Sequence, residues 1–205
     1  MASALERVRE FIHRQLVVAL TPVARGLLRL NVRANQVSVT GVLLNVVTAA
    51  LIITDDLVLA GIVYLAAGTL DVLDGILARL AEDASRFGAF LDSTLDRVSE
   101  GVVLAAIAYG FAVEGYAVNA ALVVLALLGS FLVSYTRARA EGLGIECKVG
   151  LVTRAERIVL VAVGLLSGLM APVIYLLVVL TALTVSQRIV HTGRQLNAKG
   201  YREAG

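Results

Sequence analysis

Between positions 38 and 190 the chain is a succession of apolar runs separated by short polar breaks. Several runs approach or exceed the ~20 residues an α-helix needs to cross a bilayer. Hydrophobic residues fill 59% of the 205 positions and the mean hydropathy is +0.86, too apolar for a soluble domain of this size. The runs predict spans at residues 38–53, 57–80, 88–112, 118–140, 158–169 and 173–190, the fifth starting earlier if charged residues extend its cytosolic end. Residues 4–19 follow another pattern. Leu5, Val8, Ile12 and Leu16 share one stripe with Arg7, Glu10 and Arg14 away from it, which predicts a helix lying in the membrane interface. The expectation is an all-α integral membrane protein, with six transmembrane helices preceded by an N-terminal interfacial amphipathic helix. It forms a single domain over 1–205, divided into an interfacial helix and lead-in (1–35), a six-helix bundle (36–190) and a polar, frayed cytosolic tail (191–205).

Basic residues orient the spans. The N-terminal segment, residues 79–86, residues 137–157 and the tail fall on one side and carry nearly all the Lys and Arg. The opposite turns, at Asp55, Glu114 and Met170, carry none. The positive-inside rule places the basic side, with both termini, in the cytosol of a multi-pass cell-membrane protein. No cleavable signal peptide is expected, because Glu6, Arg7, Arg9, Glu10 and Arg14 interrupt the first apolar positions. The single Cys147 excludes an internal disulfide and fits a reducing compartment. Nothing points to a nucleic-acid partner.

Inside this apolar frame the second and third spans carry Asp71, Asp74, Asp92 and Asp96. Ionisable groups at membrane depth are costly and persist mostly where they face a cavity and act there. Asp71, Asp74, Gly75 and Ala78 step by three and four and share one helix face; Gly88, Asp92 and Asp96 step by four and share a face of the next helix. Asp71 lies eight residues before Arg79 and Asp96 eight after Gly88, each roughly 12 Å along its axis. The two acidic faces can therefore meet at one level, open to the cytosolic side. Clustered carboxylates in low dielectric need compensation. Arg79, Arg86 and Arg97 are too few, and all-oxygen ligation by Asp suits Mg²⁺ or Mn²⁺. Two such ions, bridged by shared carboxylates, suit phosphoryl chemistry.

Written out, the pattern is Asp71-x2-Asp74-Gly75-x2-Ala78-Arg79-x8-Gly88-x3-Asp92-x3-Asp96. It resembles the signature of the CDP-alcohol phosphatidyltransferase family, with every fixed position present. The resemblance implies that an alcohol attacks the lipid-side phosphorus of a CDP-linked lipid and CMP leaves. It makes Asp71, Asp74, Asp92 and Asp96 metal ligands, with Asp96 also taking the hydroxyl proton, and it assigns Gly75, Arg79 and Ser85 to CDP recognition. Gly75 and Ala78 are small enough for a nucleotide to approach the backbone. Gly75 also reads as a helix-packing glycine, and Arg79 as an interfacial Arg with its charge in water. Before the first span stands Ala34-Asn35-Gln36-Val37-Ser38, where the family often has Pro-Asp or Pro-Asn followed by Thr. Asn35, Gln36 and Ser38 are thus candidate CDP-lipid contacts, with Asn35 as an N-cap the alternative. Relatives in this family are homodimers.

Ser134-Tyr135-Thr136-Arg137 and Arg154-Ala155-Glu156-Arg157 resemble segments of the branch that makes phosphatidylinositol phosphate or its archaeol counterpart. That implies inositol phosphate, a phosphorylated polyol, as acceptor, its dianion held by Arg137, Arg154 and Arg188 with Ser134 donating a hydrogen bond. Ordinary positive-inside residues are the bland alternative. Glycerol 3-phosphate is the competing acceptor. The tail of the lipid, diacylglycerol or archaeol, leaves no trace in the sequence. Glu100 continues the Asp92–Asp96 face one turn deeper, as a tuner of the metal site or as a structural bond between helices. A cation transporter would also line a path with acids, but with midplane placement and internal repeats, and no repeat is visible.

Overall fold

The structure, a computed structural model, describes residues 4–81 and 85–203. Residues 82–84 of the polar link after the second span lie outside it. Seven helices follow one another: α1 (Ala4–Arg29), α2 (Ala34–Ile53), α3 (Leu57–Leu80), α4 (Arg86–Val113), α5 (Ala117–Gly142), α6 (Arg154–Ser167) and α7 (Met170–Glu203). No strand occurs among the described residues. The polar breaks end the helices where expected, with Asp55 at φ 63° and Gly115 at φ 84° in the turns.

Three boundaries differ from the sequence reading. α1 runs past Pro22 to Arg29 instead of ending near residue 19. Proline removes one backbone donor without always ending a helix, and the second half of α1 is held by tertiary packing. α6 begins at Arg154, where Glu156 accepts from the backbone N–H of Thr153 at 2.7 Å, and it ends before Gly168 in the left-handed region at φ 72°. The polar tail continues α7 as a helix to Glu203.

α2, α4, α5, α7, α6 and α3 pack in that order and close a ring, with α1 laid on α3. The main core lies inside the ring, around Tyr64, Val103, Ile107, Val123, Val161, Leu165, Ile174 and Leu177. Small residues let the helices approach. A Cβ on Gly129 of α5 would sit 2.3 Å from Thr181 Oγ1 of α7, so no larger residue fits there. A second core forms where Ala24 of α1 meets Val37, Leu73, Ile76 and Leu77. It braces the outer side of the α3 turn that carries Asp74. Cys147 is fully buried against Ala140 and Ile145.

Among the described residues, four helices are long and apolar enough to cross a membrane: α2, α3, α5 and residues 170–198 of α7. Their outward residues, among them Leu43, Val58, Ile62, Val124, Leu128 and Val179, are exposed large hydrophobics. α4 carries Arg86, Asp92, Asp96, Arg97 and Glu100, and α6 has 14 residues. By length and composition alone these two do not qualify, and they carry much of the chemistry.

Candidate functional site

α3 and α4 both pack mainly against α2, which leaves a cleft between them. There lies a cavity of about 370 Å³, lined by Ala34, Asn35 and Ser38 of α2, Asp74, Gly75 and Ala78 of α3, and Ser85, Arg86, Gly88, Ala89 and Asp92 around the start of α4. The size suits a small-molecule site. Its walls are small because the acid faces carry Gly and Ala at helical spacing beside each carboxylate. A Cβ on Gly88 would stand 3.0 Å from Ser85 Oγ and 3.7 Å from Asn35 Oδ1, while at Gly75 the nearest atom is Arg79 Nη1 at 4.0 Å.

Asp74 is 5% exposed, and its Oδ2 accepts from Ser38 Oγ at 2.6 Å. One oxygen of a buried carboxylate is thereby satisfied by a neutral donor from α2. Asp71 and Asp96 are compensated differently. Arg154 Nη1 donates to both Asp71 Oδ2 and Asp96 Oδ1, joining α3, α4 and the first residue of α6. The other oxygen, Asp96 Oδ2, has Arg97 Nη1 3.9 Å away, beyond hydrogen-bond range. The four acids therefore form two pairs, Asp74 and Asp92 facing the cavity, Asp71 and Asp96 closed on one guanidinium. Among the described residues no three His, Cys, Asp or Glu converge as a ready ligand set. The donor chemistry still fits a hard divalent cation. All four groups are carboxylates, and Asp71 and Asp96 both reach one cationic nitrogen, so both can reach one cation.

One turn deeper, Glu100 accepts from Arg157 Nε at 2.6 Å and Nη2 at 2.9 Å, a bidentate bond between α4 and α6. Both side chains are buried, which supports the structural reading of Glu100. Beside this pair a hole of about 10 Å³, lined by Asn45, Tyr64, Gly68, Ser99, Glu100, Arg154 and Ile158, has room for about one water molecule. Asn45 Oδ1 and Arg157 Nη1 are buried without a partner.

The remaining sequence candidates divide. Asn35, Ser38, Gly75, Ala78 and Ser85 line the cavity together. Asn35 is not the N-cap of α2, because Arg33 holds that position. Ser85 is the N-cap of α4, its Oγ accepting from Gly88 N at 2.9 Å. Gln36 and Arg79 are not in the lining. Gln36 Oε1 accepts from Arg33 N at 2.8 Å, and Arg79 is exposed beside Gly75. The acceptor candidates are dispersed among protein partners. Arg137 Nε bonds Glu141 at 2.9 Å on the exposed end of α5, and Ser134 is half-buried one turn earlier. Arg188, 3% exposed, donates through Nε to Val149 O at 2.9 Å and through Nη1 to Val133 O. Ala34, Arg86, Gly88 and Ala89 line the cavity as well. Gly88 and Ala89 were findable, as the small residues one turn before Asp92 on the same helix. Arg86 was not, since its place depends on where α4 begins.

Comparison with known proteins gives a consistent answer. The family description for CDP-alcohol phosphatidyltransferase matches residues 31–190. The archaetidylinositol phosphate synthase of Methanothermobacter thermautotrophicus is 37% identical over 174 residues, covering 82% of this chain and 87% of that protein. The crystal structure of Mycobacterium tuberculosis phosphatidylinositol phosphate synthase with CDP-DAG bound superposes with a TM-score of 0.78 at 30% identity, covering 84% of this chain and 92% of that one. The same enzyme in complex with manganese and citrate gives 0.76 at 29% identity, covering 84% and 88%.

Proposed function

The chain belongs to the CDP-alcohol phosphatidyltransferase family, and from that premise we propose that it moves a phosphatidyl-type group from a CDP-linked lipid to inositol phosphate, with release of CMP. It is a transferase of phospholipid synthesis. The observation that carries the site assignment is the cleft itself: two carboxylates and a row of Gly and Ala face one cavity, beside two further carboxylates bridged by an arginine.

In this reading Asn35, Ser38, Gly75, Ala78 and Ser85 receive the CDP end, and Arg79 supplies a fork to a diphosphate oxygen pair from the rim, with Gln36 orienting the start of α2. Asp71, Asp74, Asp92 and Asp96 would hold two divalent cations, Mg²⁺ or Mn²⁺, which would supply charge neutralisation for phosphoryl transfer. The relative crystallised with manganese supports a divalent requirement. The acceptor hydroxyl oxygen forms a bond to the lipid-side phosphorus, the bond from that phosphorus to the CMP oxygen breaks, and Asp96 takes the hydroxyl proton. Asp96 Oδ2 is the oxygen with room for it, since Oδ1 faces Arg154. Arg137, Arg154 and Arg188, with Ser134, bind the acceptor phosphate. Arg154 then exchanges carboxylate partners for phosphate oxygens, a trade of one charged acceptor for another.

The same reading includes six transmembrane helices in the cell membrane, with α4 and α6 completing the ring that the apolar four begin. Both termini and the cleft face the cytosol, following the basic residues. α1 lies in the interface, supported by the exposure of Val8, Phe11, Ile12 and Leu16 along it. A homodimer packed on exposed apolar residues of α4 and α5 belongs to it too. One assay tests the core: labelled CDP-lipid in detergent with inositol phosphate, glycerol 3-phosphate, inositol or serine. Lipid product and CMP are expected with inositol phosphate. Product with glycerol 3-phosphate alone would move the chain to the other phosphorylated acceptor, and no CMP from any of the four would remove the reading.

A further inference from the structure

The N-terminal helix is tied to the start of α6 by one side chain. Arg9 Nε bonds Glu156 Oε1, Arg9 Nη1 donates to Gly150 O at 3.1 Å, and Arg9 Nη2 donates to Leu151 O at 2.5 Å. The other oxygen of Glu156 accepts from Thr153 N at 2.7 Å and from Thr153 Oγ1, the capping contacts that start α6. The residue immediately after Thr153 is Arg154, which bridges Asp71 and Asp96.

α7 anchors the loop before α6 on both sides of residues 150–151. Arg188 Nε holds Val149 O at 2.9 Å, and Thr184 Oγ1 accepts from Val152 N at 3.2 Å. Between those anchors Gly150 adopts φ 140°, with Thr184 Cγ2 2.7 Å from where a Cβ would stand, so the backbone there turns in a way only glycine allows. The carbonyls of Gly150 and Leu151 lie between the two anchors, and these are the groups Arg9 takes. A planar guanidinium can serve two carbonyls and a carboxylate at once; an ammonium cannot span the same set.

We infer that Arg9 is a positioning residue for the acceptor side of the site: through Glu156 and the 150–151 carbonyls it fixes where α6 starts, and hence where Arg154 can present its guanidinium. The inference rests on the assignment of Arg154 to the acceptor phosphate. It gives α1 a second role besides lying against the bundle, because its docking becomes part of the acceptor pocket.

The test is steady-state kinetics of the full chain in detergent with the two substrates varied separately. Arg9→Ala should raise the apparent KM for inositol phosphate about tenfold, the scale of one lost charge-assisted bond transmitted in part. The KM for CDP-lipid should stay within about twofold by the same scale. Arg9→Lys should fall between. Glu156→Gln should resemble Arg9→Ala, and the double variant should be no worse than either single one. Equal KM changes for both substrates, or none for inositol phosphate in Arg9→Ala and Arg9→Lys at unchanged melting temperature, would overturn the inference and leave Arg9 a plain tether. Arg154→Ala run alongside separates the two levels. If it too leaves the inositol phosphate KM unchanged, the acceptor assignment fails first and this inference falls with it.

Discussion

The two sides of the acid cluster are built in opposite ways. On the side proposed for CDP, Asp74 and Asp92 face a cavity whose walls are Gly75, Ala78, Gly88 and Ala89, and Asp74 is held by a neutral hydroxyl from Ser38. On the side proposed for the acceptor, Asp71 and Asp96 are closed on Arg154, while Arg188 and Arg137 are engaged by carbonyls and by Glu141. The first is an open receptacle that backbone geometry sets in advance. The second is a set of charges satisfied within the protein, which a ligand must redistribute. In the proposed reading, binding on the first side depends on shape, and on the second on exchanging one charged partner for another. Glu100 and Arg157 give a third arrangement, a buried bidentate ion pair between α4 and α6 that faces neither the cavity nor Arg154's carboxylates.

Substitutions can break this comparison. Asp96→Asn removes the proposed proton acceptor on the closed side and should lower turnover about a thousandfold while leaving CDP-lipid binding measurable; a variant that turns over normally removes Asp96 from that role. Arg157→Ala leaves Glu100 buried and unpaired, and should cost about 3–5 kcal/mol of stability, read as a lowered denaturation midpoint. A midpoint close to the parent's would mean that Glu100 is reached by water. Gly88→Ala is the mildest and most selective. Its new Cβ meets Ser85 Oγ at 3.0 Å in the cavity wall and should raise the CDP-lipid KM a few-fold, about 1 kcal/mol, with the acceptor KM unchanged. An effect on the acceptor instead would reverse the assignment of the two sides.

Legibility followed the same division. The acid faces could be read from the sequence because spacings of three and four place Asp71, Asp74, Gly75 and Ala78 together without reference to any other helix. Spans 57–80 and 118–140 were legible from their apolar runs, as α3 and α5 bear out. α6 was harder, because its first turn is charged and its boundary is a Thr153–Glu156 cap. α1 past Pro22 was illegible, since only its contact with Leu73, Ile76 and Leu77 explains why the helix continues. The partners of Arg154, Arg188 and Arg9 depend on helices 39 to 147 residues apart in sequence, and no local pattern encodes such contacts. Helical spacing put the two acidic faces at one level, but it could not show that both helices pack on α2 and leave a cleft between them with room for a substrate.

The claim beneath all of this is that carboxylates from α3 and α4 hold divalent cations in that cleft, and it can be read without any turnover. Mn²⁺ binding to the purified protein, followed by electron paramagnetic resonance, should show saturable bound ion in the parent chain and its loss in Asp92→Asn, whose side chain lines the cavity. No bound Mn²⁺ in the parent, or an equal amount in the variant, would contradict the account.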